Sequence, residues 1–369
     1  MKIGFVLDDT LDVSDGVQQA VITTGEHLKT LGHDVHYITS SSSRKDITNV
    51  HSFVKLMDVS FNGNKMRIPL PANRKKIKKF LTQQNFDVLH VQMPYSPLFA
   101  EKVILSASKK TKIIGTFHIL PYSKISTLSG KFLGLLLRRS LNRIDKFVAV
   151  SPPAASFCEQ IFKKAAVVVP NPVELAHFKM LAKKSKHHLK RIVFLGRLVE
   201  RKGAVELLDA FNLTLLRNPG SIETVELVIA GDGELKTKLS NKAKKLPDGA
   251  KVTFLGFINE KDKPALLNSA DIAVFPSLGG ESFGIVLVEA MAAGSKTIIA
   301  GDNPGYRSVL GQYPQLLVDP KNTENFANKL QEFLRYSNDS LPIGVDFEKE
   351  SKKYDVSVVC GQLLKLYNS

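Results

Sequence analysis

Residues 279–294 read GGESFGIVLVEAMAAG. Two glycines open the stretch, a run of small and apolar residues follows, and Gly294 stands where helices commonly end. The run predicts a buried helix over about Phe283–Ala293, and the β-branched segment Lys296–Ile299 behind it predicts a strand. Turn, helix and strand in that order form the unit from which parallel sheets are built. Two carboxylates interrupt the apolar pattern. Glu281 lies at the mouth of the helix, and Glu289 follows eight residues later, about 2.2 turns on, which puts both near one side. An unpaired buried carboxylate is expensive, so each needs a Lys, an Arg or a ligand hydroxyl.

The same alternation runs outward in both directions. Strand candidates in the second half are Arg191–Leu195, Val225–Ile229, Lys251–Leu255, Asp271–Phe275, Lys296–Ile299 and Gln315–Val318; in the first half they are Lys2–Leu7, Asp34–Ile38, Asp87–Val91, Lys112–Thr116 and Lys146–Val150. Between the first two strands, Val17, Ala20, Val21, Leu28 and Leu31 recur at helical spacing, and Gly32 supplies a stop. The reading is α/β: two doubly wound Rossmann-like domains, 1–175 and 191–346, joined by a charged linker at 176–190. Val356, Val359, Leu363, Leu366 and Tyr367 predict a terminal helix within about 347–369, expected to pack back on the first domain. Ligands of open α/β sheets bind beyond the carboxyl ends of the strands, so a deep cleft between the two domains is the expected site.

The 369 residues are 43% hydrophobic, enough for substantial cores. No apolar run approaches the ~18 residues of a membrane span. The opening MKIGFVLDD has a short apolar run, Ile3–Leu7, cut off by Asp8 and Asp9, which fits a parallel strand better than a secretory signal and leads to an expected cytoplasmic location. The two cysteines, Cys158 and Cys360, are too few for a disulfide framework or a zinc site. A formal charge of +16, from 51 Lys+Arg against 35 Asp+Glu, implies affinity for polyanions: nucleic acid, nucleotide phosphates or anionic lipid.

Several motifs could receive such an anion. Gly16, in DGVQ after the first strand, sits where a helix begins and amides are free, although the loop DDTLDVSD lacks a three-glycine dinucleotide fingerprint and carries four aspartates. LGRLVERKG (195–203) delivers Arg197, Arg201 and Lys202 past a strand end, a cluster that calls for an anion or else is a solvated loop. AGDGE (230–234), with Gly231, repeats the pattern of strand, glycine turn and helix. The amides of Ser282, Phe283, Gly284 and Ile285 form another first-turn cradle. NRKKIKKFL (73–81) reads as a capped basic amphipathic helix, with Ile77, Phe80 and Leu81 on one edge and Arg74, Lys75, Lys76, Lys78 and Lys79 around it. It suits an anionic bilayer, a nucleic-acid backbone or a helix packed on its own core; sparse aromatic neighbours disfavour nucleic acid.

Taken together, LGRLVERKG, AGDGE and ESFGIVLVEAMAAG resemble the retaining GT-B glycosyltransferases of family four, with the two glutamates eight positions apart as the best signature. The resemblance covers nearly the whole chain. It is nearest to the actinobacterial phosphatidyl-myo-inositol mannosyltransferases, through LDVSDGVQQ, NFDVLHVQMP, GTFH, VPNPV and the terminal YDVSVVCGQLLKLY.

The resemblance implies hexosyl transfer with retention, the hexose being mannose in the nearest relatives, from a nucleotide-sugar donor (GDP- or UDP-hexose) to a lipid-linked or glycan acceptor at the inner face of the cell membrane. Arg197 and Lys202 would hold the diphosphate, with Gly16 and the amides of Ser282, Phe283, Gly284 and Ile285; Gly231 lies on the donor side. Glu281 would accept from sugar hydroxyls and Glu289 from the ribose. Ile258 and Lys263, in GFINEKDK, would border the base, and His118 would face the sugar's primary hydroxyl. The expected catalytic set is Glu281, His118, Arg197 and Lys202. No protein-bound metal or tightly held cofactor is implied, any Mg2+ being a solution ion. Gln18, Asn62, Arg67 and Lys124 match acceptor-side positions, while Asp8-Asp9 replaces a Pro-Tyr pair and ILPYSK (119–124) replaces a Thr/Ser-rich segment of the mannosyltransferases. Two other readings of the same chain are a sugar-nucleotide epimerase and a polyanion-binding protein without catalysis.

Overall fold

The computed structural model describes residues 1–13, 15–61, 64–120, 133–181, 189–335 and 344–369. Two units emerge: residues 1–173 with 354–369, and residues 174–353.

The first unit is built on seven parallel strands: β1 (Lys2–Leu7), β2 (Asp34–Thr39), β3 (Val50–Ser52), β6 (Val88–Gln92), β7 (Lys112–Phe117), β8 (Lys146–Ala149) and β9 (Ala166–Val168), in the order β3-β2-β1-β6-β7-β8-β9. A separate antiparallel hairpin pairs β4 (Leu56–Phe61) with β5 (Asn64–Pro69). Central strands such as β1 are buried on both faces, which is why they read as continuous apolar runs rather than alternating ones. Helix α1 (Gly16–Thr30) crosses from β1 to β2. Asp15 holds the extended N-cap position, and Ala20, Val21 and Leu28 point into the core.

The terminal segment is two helices rather than one. Phe347–Ser351 belongs to the second unit, and Val356–Asn368 to the first. The break falls where the Asp355 side chain accepts from the Ser357 amide and starts a new helix. Val356, Val359, Cys360, Leu363 and Tyr367 then join Phe5, Val21, Leu28 and Tyr37 in one core.

The second unit carries six parallel strands, β10 (Lys190–Leu195), β11 (Val225–Ala230), β12 (Lys251–Gly256), β13 (Ile272–Phe275), β14 (Ile298–Gly301) and β15 (Leu317–Val318), in the order β12-β11-β10-β13-β14-β15. The helix Leu175–Leu181, whose residues from 176 on fall in the expected linker, belongs to this unit, with Leu175 and Phe178 buried and the helix packed against Lys263–Asn268 and Ile285–Ala293. Residues 182–188 of the expected linker lie outside the described residues.

Each sheet has one place where the strand order reverses: β1 beside β6 in the first unit, β10 beside β13 in the second. There the connections leave on opposite faces and open a crevice at the carboxyl ends of the strands.

Candidate active site

In the second unit the loops leaving β10 and β13 meet at that crevice. The β10 loop carries Arg197, Arg201 and Lys202, and the β13 loop carries Ser277 and Glu281. The Leu278 amide donates to the Arg201 carbonyl at 2.8 Å, pinning one loop to the other.

Three donors converge on one oxygen of Glu281: Arg201 Nη1 at 2.7 Å, Lys202 Nζ at 2.8 Å and Ser277 Oγ at 2.8 Å, all to Oε1. Among the described residues Oε2 has no partner. Burial alone would raise the pKa of this carboxyl, but Lys202 and Arg201 outweigh it and hold it at about 2, so Glu281 is ionised at neutral pH. Burial pushes Lys202 down, with Arg201 and Arg197 adding to the effect against the pull of Glu281. Arg197 is exposed at the crest, with no ion-pair partner among the described residues. Three cations against one carboxylate leave the four side chains at +2.

Gly231 serves backbone packing. Its φ is +141°, and a Cβ there would lie 1.8 Å from the Gly196 carbonyl oxygen. The close approach lets Gly196 donate to Ala230, at 3.0 Å, and Leu198 to Asp232, at 2.9 Å, which sets the position of the intervening Arg197.

The helix expected over Phe283–Ala293 runs from Ile285 to Ala293. Gly284, at φ +109°, is its N-cap, and a Cβ there would lie 2.6 Å from Tyr306 Cδ1. The expectation that Glu281 and Glu289 share one side of a helix is therefore corrected. Glu281 sits in the preceding loop, and Glu289 alone is helical. Ser282 is half-buried and Phe283 is in the core.

Glu289 is nearly fully buried and its Oε1 accepts from Lys263 Nζ at 2.9 Å. Lys263 opens the helix Lys263–Asn268 and also meets Glu260 at 2.8 Å. Burial raises the pKa of Glu289, with Lys263 opposing and Glu260 adding. Burial acts against the charge of Lys263, yet Glu289 and Glu260 outweigh it and raise that pKa too. Ile258, half-buried, lies in the loop between β12 and this helix.

In the first unit His118 follows β7, and its Nε2 lies 2.6 Å from Gln92 Oε1 at the end of β6. That oxygen accepts, so Nε2 carries the proton and Nδ1 presents a lone pair, buried and without a partner among the described residues. Burial lowers the His118 pKa to about 4, so the ring is neutral at pH 7. Behind it His90 bridges Thr116 Oγ1, at 2.6 Å, and Tyr367 Oη, at 2.7 Å. A cavity of about 30 Å³, lined by Gln92, Thr116, His118, Asn171, Pro172 and Leu363, occupies the space between them.

Gly16 is the exposed first residue of α1. Gln18 and Arg67 are brought together on the Asp9 carboxylate. Asn62 and Lys124 lie outside the described residues. The basic helix spans Arg74–Gln84, with Asn73 Oδ1 accepting from the Lys75 and Lys76 amides. Its apolar edge is consumed by the core: Ile77 and Leu81 are buried, and Phe80 packs on His51, Phe53 and Phe86. Arg74, Lys75, Lys76, Lys78 and Lys79 are all exposed.

Sequence reasoning did not single out Ser277 or Gln92; it named Arg201 in the basic cluster and Asp9 as a departure from the mannosyltransferases, but gave neither a role in the site. Arg201 stands one residue before Lys202, and Gln92 is a polar residue ending an apolar strand; both were visible signals.

Doubly wound parallel sheets with this crest of charge define a glycosyltransferase of the GT-B fold. Solved structures share it: HepE of Anabaena, described in complex with UDP and glucose, has a TM-score of 0.74 at 16% identity, covering 100% of both chains. A glycosyltransferase of Rickettsia africae has 0.72 at 19% identity, covering 100% of this chain and 97% of that one. The family is defined by sequence: residues 178–346 match the model of glycosyl transferases group 1 and residues 14–177 that of Glycosyltransferase Family 4, and the chain belongs to this family. It is 33% identical to a phosphatidyl-myo-inositol mannosyltransferase of Mycolicibacterium smegmatis, over 100% of this chain and 94% of that protein. Identity to the protein of the same name from Mycobacterium tuberculosis is 32%, covering 100% and 97%. An alpha-monoglucosyldiacylglycerol synthase of Streptococcus pneumoniae is 24% identical, over 82% of this chain and 72% of that one. The chain is thus a hexosyltransferase.

Proposed function

We propose that the protein moves a hexose, with retention at the anomeric carbon, from a nucleoside-diphosphate sugar to a lipid-linked hydroxyl at a membrane surface. The observation that carries the donor side is Glu281, an ionised carboxylate whose Oε1 is locked by three donors while Oε2 is left open. An acceptor fixed in this way suits a sugar hydroxyl. The +2 balance of Arg197, Arg201, Lys202 and Glu281 suits a diphosphate, and it opposes the charge that develops there as the glycosidic bond breaks. Glu289 offers its second oxygen to ribose hydroxyls, with Ile258 and Lys263 beside the base. Neutral His118, its Nδ1 without a partner among the described residues, is disposed to accept from a hydroxyl of the transferred sugar. The leaving phosphate takes the acceptor proton.

The acceptor side rests on Gln18 and Arg67 and on the names of relatives whose products are glycolipids. Membrane association is electrostatic: the apolar edge of the basic helix is already buried, leaving its exposed cations, each worth ~1 kcal/mol near an anionic surface. Among the described residues no helix is long and apolar enough to cross a bilayer.

The test is a panel of UDP- and GDP-hexoses, read by calorimetry and by label transfer to extracted lipid, with the anomer of the product determined by NMR. One donor should bind and label a lipid with its configuration retained. An inverted product, or conversion of the donor to an epimer without acceptor, refutes the proposal.

A further inference from the structure

Directly after β1, Asp9 is held from three elements. Arg67 on β5 donates to it in bidentate fashion, Nε to Oδ1 at 2.7 Å and Nη2 to Oδ2 at 3.0 Å. Gln18 Nε2 on α1 donates to Oδ2 at 3.1 Å, and the Thr10 amide donates to Oδ1 at 2.8 Å. Asp15 lies 3.9 Å from Arg67 Nη2 on the other side. The Arg67 and Asp9 side chains retain only 25% and 19% of their exposure. The planar fork of Arg67 is thus spent on a carboxylate of its own chain, and the same carboxylate takes up the amide of Gln18.

We propose that Asp9 occupies the place an acidic acceptor group would take on Arg67, and so restricts this glycosyltransferase to acceptors that present uncharged hydroxyls there rather than a phosphate. The inference rests on the reading that Arg67 and Gln18 lie on the acceptor side. A guanidinium fork fits one carboxylate or one phosphate, not both. Arg67 faces both Asp9 and Asp15, so an arriving phosphate meets repulsion from two carboxylates, a contact that disfavours wrong partners strongly. Asp8, next in sequence, pushes the same way. Its carboxyl is raised to about 7 by burial, with hydrogen bonds from Ser96 and the Ala100 and Phe99 amides opposing, so it adds negative charge as pH rises past neutrality. Polyol or sugar hydroxyls face no such conflict, since they donate to the remaining lone pairs of Asp9 and Asp15 without displacing Arg67.

Two measurements on the full chain test this. In mixed micelles, wild type and D9N are compared on diacylglycerol and glycosyl-diacylglycerol, which carry no phosphate, and on phosphatidylinositol, which does. Wild type should label the uncharged lipids, and D9N should raise the phosphatidylinositol-to-uncharged ratio ~100-fold, the effect of removing one like charge about 6 Å away at an effective dielectric near 20. A wild type that prefers phosphatidylinositol, or a D9N that transfers with an unchanged ratio, overturns the proposal. R67M transferring to every lipid as wild type does overturns it by removing Arg67 from the acceptor side. If wild type labels no lipid at all, the functional reading fails, and calorimetry with glycerol 3-phosphate still decides the role of Asp9 because it needs no donor. Binding that appears in D9N and is lacking in wild type supports the block; equal titrations, or none in either, refute it. Asparagine keeps the shape but gives up one of the two acceptor oxygens, and a melting temperature close to wild type confirms a folded variant.

Discussion

Lys263→Met isolates the energetics of the Glu289 pair. The substitution keeps the apolar stem and removes the ammonium that lies 2.9 Å from Glu289 Oε1. Breaking a buried pair from one side ordinarily costs ~3–5 kcal/mol, because the surviving charge is stranded. Here the penalty has a ceiling, since Glu289 can escape by taking up a proton. For a carboxyl of ordinary pKa 4.5, protonation at pH 7 costs about 3.4 kcal/mol, from 2.5 pH units at 1.36 kcal/mol each. At pH 5 the same escape costs only about 0.7 kcal/mol. The sign follows directly: a carboxyl whose folded pKa lies above its unfolded value destabilises increasingly as pH rises above 4.5. For a unit of about 180 residues, 1 kcal/mol moves the melting temperature by about 2–4 °C, so K263M should melt about 7–14 °C below wild type at pH 7 and within about 3 °C of it at pH 5. Scanning fluorimetry across pH 5–8 reads this. Equal losses at both pH values would show that lost packing, not stranded charge, is responsible. K263M combined with E289Q should recover most of the pH 7 loss, because the charge is then gone.

Glu281→Gln should lower transfer by about 10²–10³-fold while nucleotide binding by calorimetry stays within a few-fold, as expected of a group that acts on the sugar; turnover close to wild type would remove Glu281 from that role. In wild type, Glu281 is held at about 2 against an ordinary 4.5, so its contribution of about 3 kcal/mol is present above pH 4.5 and lost as pH falls towards 2; acid titrations of E281Q should lack that component. Gly231→Ala places a methyl 1.8 Å from a backbone oxygen at a positive φ and should cost at least about 2 kcal/mol with loss of donor binding; a stable variant that binds donor normally would refute the packing role of Gly231. Replacing Lys75, Lys76, Lys78 and Lys79 by Ser should weaken cosedimentation with anionic liposomes by roughly a thousandfold at low salt, four charges at ~1 kcal/mol each; unchanged sedimentation would place the membrane contact elsewhere.

The parallel sheets were legible because a strand buried on both faces is an unbroken β-branched run, and β1, β10 and β13 are such runs. What escaped were the strands that do not fit that description. Val50–Ser52 and Ala166–Val168 are three-residue edge strands, largely open to solvent, so burial leaves no pattern in them. Leu56–Phe61 and Asn64–Pro69 pair antiparallel, and their sequences alternate apolar and polar residues across an Asn-Gly pair, a hairpin signal that a reading aimed at long parallel strands passed over.

At the site, residue types were legible and pairings were not. The buried carboxylates announced a need for partners, but Lys263 is 26 residues from Glu289 and Arg201 is 80 from Glu281, distances over which only the strand order decides who meets whom. The reversal between β10 and β13 brings the Arg201 loop to Glu281, and a different order built from the same strands would leave both glutamates unpaired. The same logic applies to Asp9. Local sequence gave four aspartates in a loop, an apparent argument against any anion site, and separately an arginine 58 residues away. Only their contact turns two opposing signals into one statement: Arg67 is present, and the chain has supplied its own counter-ion. On the proposal made above, one charge placed beside Arg67 changes what that arginine can bind, while the loops that carry Glu281 and Lys202 are left untouched.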